Sequence, residues 1–438
     1  MTPRSRPSAP PTLPRVFLLL QGPHGPFFGQ LADRLRAAGA TVWRVGFNRG
    51  DEVFWGGRPG YVAFPGPVAD WPATLAGLIE RLGVTDIVIY GDSRPVHAEA
   101  AARARAGKIT LHVFEEGYLR PYWITYERDG SNGHSQLMTL TVDRMRAALA
   151  GRGLHADLPE APALWGDMRE HIFYGALYHF FVLGLNGRYR GFRPHRALDV
   201  GQEFRLYLRR LLFMPWHRIE RAVATRRVLD GGFPYHLVLL QLEHDASFQA
   251  HSPFRLQSEF IDLCLTAFAR GAPAHHHLVF KAHPLEDGRG RPAAAIRARA
   301  TALGLTDRVH FVAGGKLAPL LAQARSAVTV NSTAGQQALW HGLPVKSFGT
   351  SVYDKPEFVS DQPLVEFFAR PKPPDAHAYR DYRLFLLLSS QRRGGFYSAR
   401  GRRQVLRDLV DALLDPAGPY DRLLAPASAE RQHLRAAL

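Results

Sequence analysis

Hydrophobic positions along the chain alternate between two spacings. Residues 16–20 form a short apolar run that stops at Gly22-Pro23-His24-Gly25-Pro26, and Phe28, Leu31, Ala32, Leu35 and Ala38 then recur at helical spacing until Gly39. The same succession returns as strand 41–47, helix 74–82, strand 86–90, helix 96–106 and strand 109–114. From about 159 to 229 the strand pattern is lost, and 203–212 and 216–228 read as amphipathic, arginine-rich helices. Strands at 236–241, 277–281, 308–312, 327–331 and 345–348 then alternate with helices at 253–270, 292–303, 317–324 and 335–341, and helical segments at 376–390 and 400–414 close the chain. Strands that alternate with helices predict parallel sheets covered on both faces.

The pattern divides the chain into a polar, Pro- and Arg-rich leader (1–14), a first Rossmann-like α/β domain (15–158), a helical connector (159–230), a second Rossmann-like domain (231–375) and C-terminal helices (376–438). Doubly wound sheets bind ligands beyond the carboxyl ends of their strands, so the loops after strands are where chemistry is expected.

Composition narrows the picture. The 438 residues carry 55 Lys+Arg against 39 Asp+Glu, a formal net charge of +16, and their 46% hydrophobic content is enough for buried cores. The single cysteine, Cys264, excludes a disulfide framework and any multi-cysteine metal site, and fits a reducing, cytoplasmic compartment. No apolar run reaches the roughly 18 residues needed to span a bilayer. The basic excess is almost all arginine, since only six lysines occur, and it suits a nucleic acid, an anionic lipid surface or a phosphorylated substrate. No basic–aromatic module points to nucleic acid.

Several strand ends carry candidate chemistry. Strand 109–114 runs into Glu115-Glu116-Gly117, where one carboxylate is expected in a cleft while Arg120 holds the other beside an aromatic wall of Phe114, Tyr118, Tyr122 and Trp123. Strand 277–281 ends in Lys281-Ala282-His283-Pro284, whose two cationic donors project to one side of an extended segment. Asn331-Ser332-Thr333-Ala334-Gly335 opens a helix, with Ser332 or Thr333 as its cap and an anion site at its mouth. Asp92, Arg94 and His97 follow another strand, and Gln21, Gly22 and His24 form a loop through which a ligand can approach the backbone. His275-His276-His277 has no second cluster at ligand spacing, so no metal site is expected. With neither a Walker lysine motif nor an Asp-x-Asp at a strand end, the set favours metal-free group transfer from an activated nucleotide donor.

At these residues the chain resembles the capsular polysaccharide synthesis proteins of the KpsS/LipB type. The similarity rests on Gln21-Gly22-Pro23 with Phe47-Asn48-Arg49-Gly50-Asp51, on residues 90–97, on residues 113–121, on Lys281-Ala282-His283-Pro284 and on residues 331–335. Ala282 stands where a second polar residue is expected, and Leu242-Glu243-His244-Asp245 matches the donor-side loop only loosely. The resemblance implies a GT-B-like pair of Rossmann domains and a glycosyltransferase that takes CMP-Kdo as donor and needs no cofactor. It implies transfer of the first β-Kdo to a lyso-phosphatidylglycerol acceptor at the cytoplasmic face of the inner membrane, beside other capsule synthesis and export proteins. Donor binding then falls to Lys281, His283, Pro284, Asn331, Ser332, Thr333 and Gly335. If stereochemistry is retained, the nucleophile is one of Glu115, Glu116 or Asp92, with Glu116 favoured; Gln21, Gly22, His24, Arg94, His97 and Arg120 are further substrate-binding candidates. The alternative is a non-catalytic polysaccharide- or lipid-binding partner of an export complex.

A lipid acceptor calls for a membrane-facing surface. The connector combines Phe173, Tyr174, Tyr178, Phe180, Phe181, Leu183, Leu185 and Phe213 with Arg188, Arg190, Arg193, Arg209, Arg210, Arg218 and Arg221. Such a segment can bury apolar side chains at the headgroup boundary while its arginines meet anionic lipid.

Overall fold

The computed structural model describes residues 15–150, 168–191, 213–243, 246–284, 286 and 290–425. The leader, the helix expected at 203–212, Arg193, Arg209, Arg210, His244 and Asp245 lie outside the described residues. The chain divides into two compact units, one comprising Met1–Phe114, Leu164–Arg193 and Gly394–Pro416, the other Glu115–Ala163, Pro194–Arg393 and Ala417–Leu438. This division differs from the expected boundary at 158: it falls inside a strand, after Phe114, and shares the connector between both units.

The first unit contains strands β1 (Val16–Leu19), β2 (Thr41–Gly46), β3 (Tyr61–Ala63), β4 (Asp86–Tyr90) and the greater part of β5 (Thr110–Glu116). Their order is β5-β4-β1-β2-β3, all parallel, with Phe17 level with Val42 on one side and Asp86 on the other. Phe17, Leu18 and Leu19 are all fully buried, which is why β1 reads as an unbroken apolar run rather than an alternating one. The helix Phe27–Ala37 covers the sheet with Leu31, Ala32 and Leu35, spaced to share one face. The C-terminal helix Ala399–Leu414 belongs to this unit too. Its Val405, Leu406, Leu409 and Leu413 are buried, and the buried Arg402 donates from Nε to Gln30 Oε1 at 3.2 Å.

The second unit contains the end of β5 and strands β6 (Trp123–Arg128), β7 (Tyr235–Leu239), β8 (His277–Lys281), β9 (Val309–Val312), β10 (Ser326–Thr329), β11 (Val345–Ser347) and β12 (Gln391–Arg393). Its five-stranded sheet runs β11-β10-β7-β8-β9, parallel throughout. β6 pairs antiparallel with β12, placing Gln391 beside Thr125. β1, β2, β4, β5 and β7–β11 lie within a few residues of the strands that the hydrophobic pattern predicts. β3 and β12, three residues each, and β6, whose first residue Trp123 is expected in an aromatic wall, carry no strand signal of their own.

Two α/β sheets therefore replace the hydropathy pattern as expected. Among the described residues no helix is long and apolar enough to cross a membrane.

Candidate functional site

In the second unit β5 delivers Glu115 and Glu116, both half-buried, to its carboxyl end. Gly117 follows because a Cβ there would lie 2.3 Å from the Trp123 carbonyl and 2.7 Å from that of Leu119. Only a residue without a side chain lets β6 fold back so closely. The return brings Asn132 against the acids. Its Nδ2 lies 3.5 Å from Glu115 Oε2, and Glu115 Oε1 accepts the Glu116 backbone N–H at 3.1 Å. The Asn132 N–H donates to Tyr118 Oη at 2.7 Å, in a phenol whose pKa is pushed well above its usual value by burial and then by the charge of Glu127.

Two expectations for this loop need correcting. Arg120 is exposed and donates from Nε to the Gly117 carbonyl at 3.3 Å; it does not hold a glutamate. Nor do Phe114 and Trp123 wall an open cleft: they are buried at 0% and 6% exposure, because a strand covered on both faces sends its aromatics into the core.

From Asn132 the site continues through two imidazoles. The turn Asn132–His134 packs on His251, whose Nδ1 would be 2.5 Å from a Cβ on Gly133, and the His134 and His251 rings meet edge to face at 5.2 Å. The His251 carbonyl in turn accepts from Asn331 Nδ2 at 3.3 Å and from Thr350 N at 2.9 Å. Asn331 is buried and reciprocally paired with Gln241: Gln241 Nε2 donates to Asn331 Oδ1 at 2.7 Å, and the Asn331 N–H donates to Gln241 Oε1 at 3.0 Å. Asn331, expected as one of three polar groups at a helix mouth, instead fastens the end of β10 to the end of β7 with its amide. Asn132 and His134 in a short turn, Gln241 at a strand end and His251 at the end of the short helix Ala246–His251 carry no periodic signal in the sequence.

Ser332 and Thr333 open the helix Ala334–Trp340. Ser332 Oγ accepts from the Ala334 N–H at 3.2 Å, while Thr333, in the N-cap position, makes no side-chain cap hydrogen bond. Tyr353 Oη donates to the Ser332 carbonyl at 2.6 Å and would sit 2.6 Å from a Cβ on Gly335, so that glycine makes room for the phenol. The helix is held to the acidic loop by Gln336, whose Nε2 donates to the Tyr118 carbonyl at 3.1 Å.

Lys281 closes β8 and is only 4% exposed; its ammonium donates to the Ala282 carbonyl at 3.1 Å. Burial, and then the charge of Arg221, lower its pKa to about 8. His283 is half-buried and Pro284 exposed. Arg221, expected among membrane-facing arginines, is half-buried, and its Cδ and Nη1 come within 3.6 Å of where a Cβ on Gly314 would stand, beside Pro284 Cα at 3.5 Å. The structure thus adds a guanidinium to the lysine and histidine at the β8 and β9 ends. The neighbouring histidines serve the fold: His236 Nε2 lies 3.0 Å from His276 Nδ1, and His277 Nδ1 lies 2.8 Å from His310 Nε2. Among the described residues no group of three or more His, Cys, Asp or Glu is arranged to hold a metal ion.

The first unit gathers the remaining candidates. Arg94 Nη1 donates to Gln21 Oε1 at 3.0 Å, and Gln21 Nε2 donates to Tyr178 Oη at 2.9 Å. The same phenol receives Asn48 Nδ2 at 2.6 Å, and Asp51 Oδ1 lies 3.5 Å away. Asp51, paired with Arg44 at 3.3 Å, has a pKa raised by burial against the pull of that arginine. Gly50 is needed because a Cβ would come within 2.5 Å of the Tyr178 ring, and His24 stacks on that ring at 4.4 Å. Tyr178, expected to face a membrane, is therefore a core residue at 7% exposure, and Phe47-Asn48-Arg49-Gly50-Asp51 is its socket. Gly22 has the Phe28 ring 2.6 Å from where its Cβ would be. His97 is buried and donates from Nδ1 to the Gly91 carbonyl at 2.8 Å, an arrangement that fixes its tautomer. Asp92 is 2% exposed and accepts from Ser93 Oγ at 3.3 Å. It lies in a different unit from Glu115 and Glu116.

A family model described as "Capsule polysaccharide biosynthesis protein" matches residues 85–397. The chain belongs to that family. It is 30% identical over 389 residues to the capsule polysaccharide export protein KpsS of Escherichia coli, covering 87% of this chain and 97% of that one. It is 33% identical over 387 residues to the capsule polysaccharide modification protein LipB of Neisseria meningitidis serogroup B, covering 87% and 91%. Among solved structures, the beta Kdo 2,7 transferase of Thermosulfurimonas dismutans KpsC is 12% identical, with 91% of this chain and 99% of that one covered and a TM-score of 0.43. A likeness at that level assigns no chemistry to this member of the capsule family.

Proposed function

We propose that this protein is a glycosyltransferase that moves β-Kdo from CMP-Kdo to a lyso-phosphatidylglycerol acceptor at the cytoplasmic face of the inner membrane. The observation that carries the reading is the run of contacts within the second unit from Glu115 through Asn132, His134 and His251 to Asn331. It joins a carboxylate pair to the strand end where Ser332 and Thr333 stand. The names of the relatives, in capsule export and modification, support it further.

The chemistry follows from the donor. CMP-Kdo has one phosphodiester, whose charge Lys281, His283 and the Ser332 and Thr333 hydroxyls balance without a metal. The anomeric carbon is quaternary and bears a carboxylate, so its departure from CMP is strongly oxocarbenium-like and is eased by a nearby carboxylate. In the retaining form, Glu116 forms a bond to that carbon as the bond to the phosphate oxygen breaks; the acceptor hydroxyl then displaces Glu116 and loses its proton to a base. Glu115, held by Asn132, orients the pair, and His134 and His251 are the nearby groups suited to proton transfer. Incubation with CMP-Kdo and lyso-phosphatidylglycerol tests the reading: CMP release coupled to a Kdo-lipid product is expected, and no release with intact donor binding would favour a non-catalytic partner of an export complex.

A further inference from the structure

We propose that the cavity between the Tyr118 to Arg120 turn, the helix Ala334–Trp340 and Arg383 is a binding site for a hydroxylated oxyanion. The ligand is a carboxylate or phosphodiester with neighbouring hydroxyl groups. The cavity has a volume of about 190 Å³, and its lining includes Arg120, Arg383 and His341 but no carboxylate. Its chemistry therefore selects for negative charge in a space of a few water volumes.

The lining also asks for a hydroxyl. Gln336 is 2% exposed; its Nε2 is used on the Tyr118 carbonyl, whereas its Oε1 is buried and has no donor. A buried acceptor left without a donor is costly, and a ligand O–H is the group that satisfies it. Arg383 contributes a second unmet need, since its Nε is buried without an acceptor while its guanidinium lies 4.2 Å from the centre of the Trp340 ring. Trp340 is itself 50% exposed, offering an apolar face to the carbon skeleton of a polyol or sugar. Charge, acceptor and ring together describe a sugar acid or a glycerophosphate better than a bare phosphate.

The source of the oxyanion rests on the transfer reading above: the Kdo carboxylate of the donor, or the phosphodiester of the lipid headgroup. Saturation-transfer NMR on the full chain separates them, with free Kdo, glycerophosphoglycerol and glycerol as probes and CMP measured alongside. At least one of the two oxyanions is expected to bind, glycerol is not, and Arg120→Gln should weaken that binding by about tenfold. Arg120 is exposed, so this variant keeps its fold; Arg383→Lys, which keeps the charge, should retain more binding than Arg383→Gln. CMP binding should be unchanged in all three. A response from Kdo identifies the donor acid, and one from glycerophosphoglycerol the acceptor headgroup. If neither oxyanion binds the unmodified protein, or if binding survives in Arg120→Gln combined with Arg383→Gln, the site is overturned. Absence of CMP binding in the unmodified protein would instead overturn the CMP-sugar reading, whatever the cavity binds.

Discussion

The side-chain amide of Gln336 donates to the backbone carbonyl of Tyr118 across 218 positions of sequence. One hydrogen bond thus ties the helix that begins after Ser332 and Thr333 to the loop that leaves Glu115 and Glu116. Glu115, Glu116 and the candidate donor-binding residues are parts of one packed unit, so substitutions at either end can be compared on a common scaffold.

Glu116→Gln preserves size and removes charge. It should abolish Kdo transfer while leaving CMP affinity and the melting temperature near those of the unmodified protein. Turnover close to normal would move the role to Glu115 or Asp92, and trapping a Kdo adduct on Glu116 by mass spectrometry would separate a nucleophile from a base.

His283→Ala tests the donor side. If His283 makes a charge-assisted contact with the CMP phosphate, calorimetry should record a loss of about 1–3 kcal/mol in CMP binding. Unaltered affinity removes His283 from the site.

Lys281 gives a pH signature. With its pKa lowered to about 8, the ammonium is charged at pH 7 and loses its proton as pH rises through that value, whereas in the unfolded chain it stays charged to near 10.5. CMP affinity should therefore fall between pH 7 and pH 9, and Lys281→Arg should flatten the curve. The same shift makes the folded state bind fewer protons than the unfolded chain over that interval, so the lysine's contribution to stability rises with pH there. A CMP affinity that is level from pH 7 to pH 9 counts against a phosphate contact.

Acid should act on the second unit through His236 and His276. Burial lowers their pKa values to about 3 and about 4, with further lowering by the charge of His276 on the first and of Arg325 on the second. As pH drops from 6.5 towards 4, the unfolded chain takes up protons that the fold refuses, and stability falls. The melting temperature should decrease over that interval, and the decrease should shrink in the His236→Asn/His276→Asn double variant. An equal decrease in that variant would assign the effect to other groups.

Peripheral membrane binding has a specific surface to test. On the helix Met214–Leu229, Trp216, Ile219 and Val223 are 67%, 61% and 52% exposed at spacings that share one face, with the exposed Arg218 beside them. Flotation with vesicles containing phosphatidylglycerol should show binding that weakens with salt and in Trp216→Ser/Ile219→Ser. Equal flotation with neutral vesicles, or no loss in the variant, excludes this face.

How far the sequence reveals the site depends on what holds each part. β1, β4, β7, β8 and β10 are legible because parallel strands covered on both faces are continuous apolar runs, and the residues at their ends could be named in advance. Tyr178 could not, because an aromatic residue that fills a polar socket beside Asn48 and Gln21 has the same helical spacing as one that faces lipid. Arg221 was misplaced for the same reason: an arginine-rich helix does not announce which guanidinium turns towards Pro284 and Gly314. His251 ends a six-residue helix too short for a periodic signal, and only the close return of β6 at Gly117 brings Asn132 to Glu115.

The helix Ala399–Leu414 has a consequence for how the protein is made. The first unit is assembled from three stretches of chain, and its last stretch, Gly394–Pro416, is synthesised after nearly all of the second unit. At roughly 5–20 residues per second, the ribosome supplies that stretch many seconds after Phe114 has emerged. During that interval the hydrophobic seat that Leu409 and Leu413 will occupy is uncovered, and Gln30 waits for Arg402. A nascent chain released before residue 394 would therefore carry an unfinished first unit exposed to chaperones and proteases.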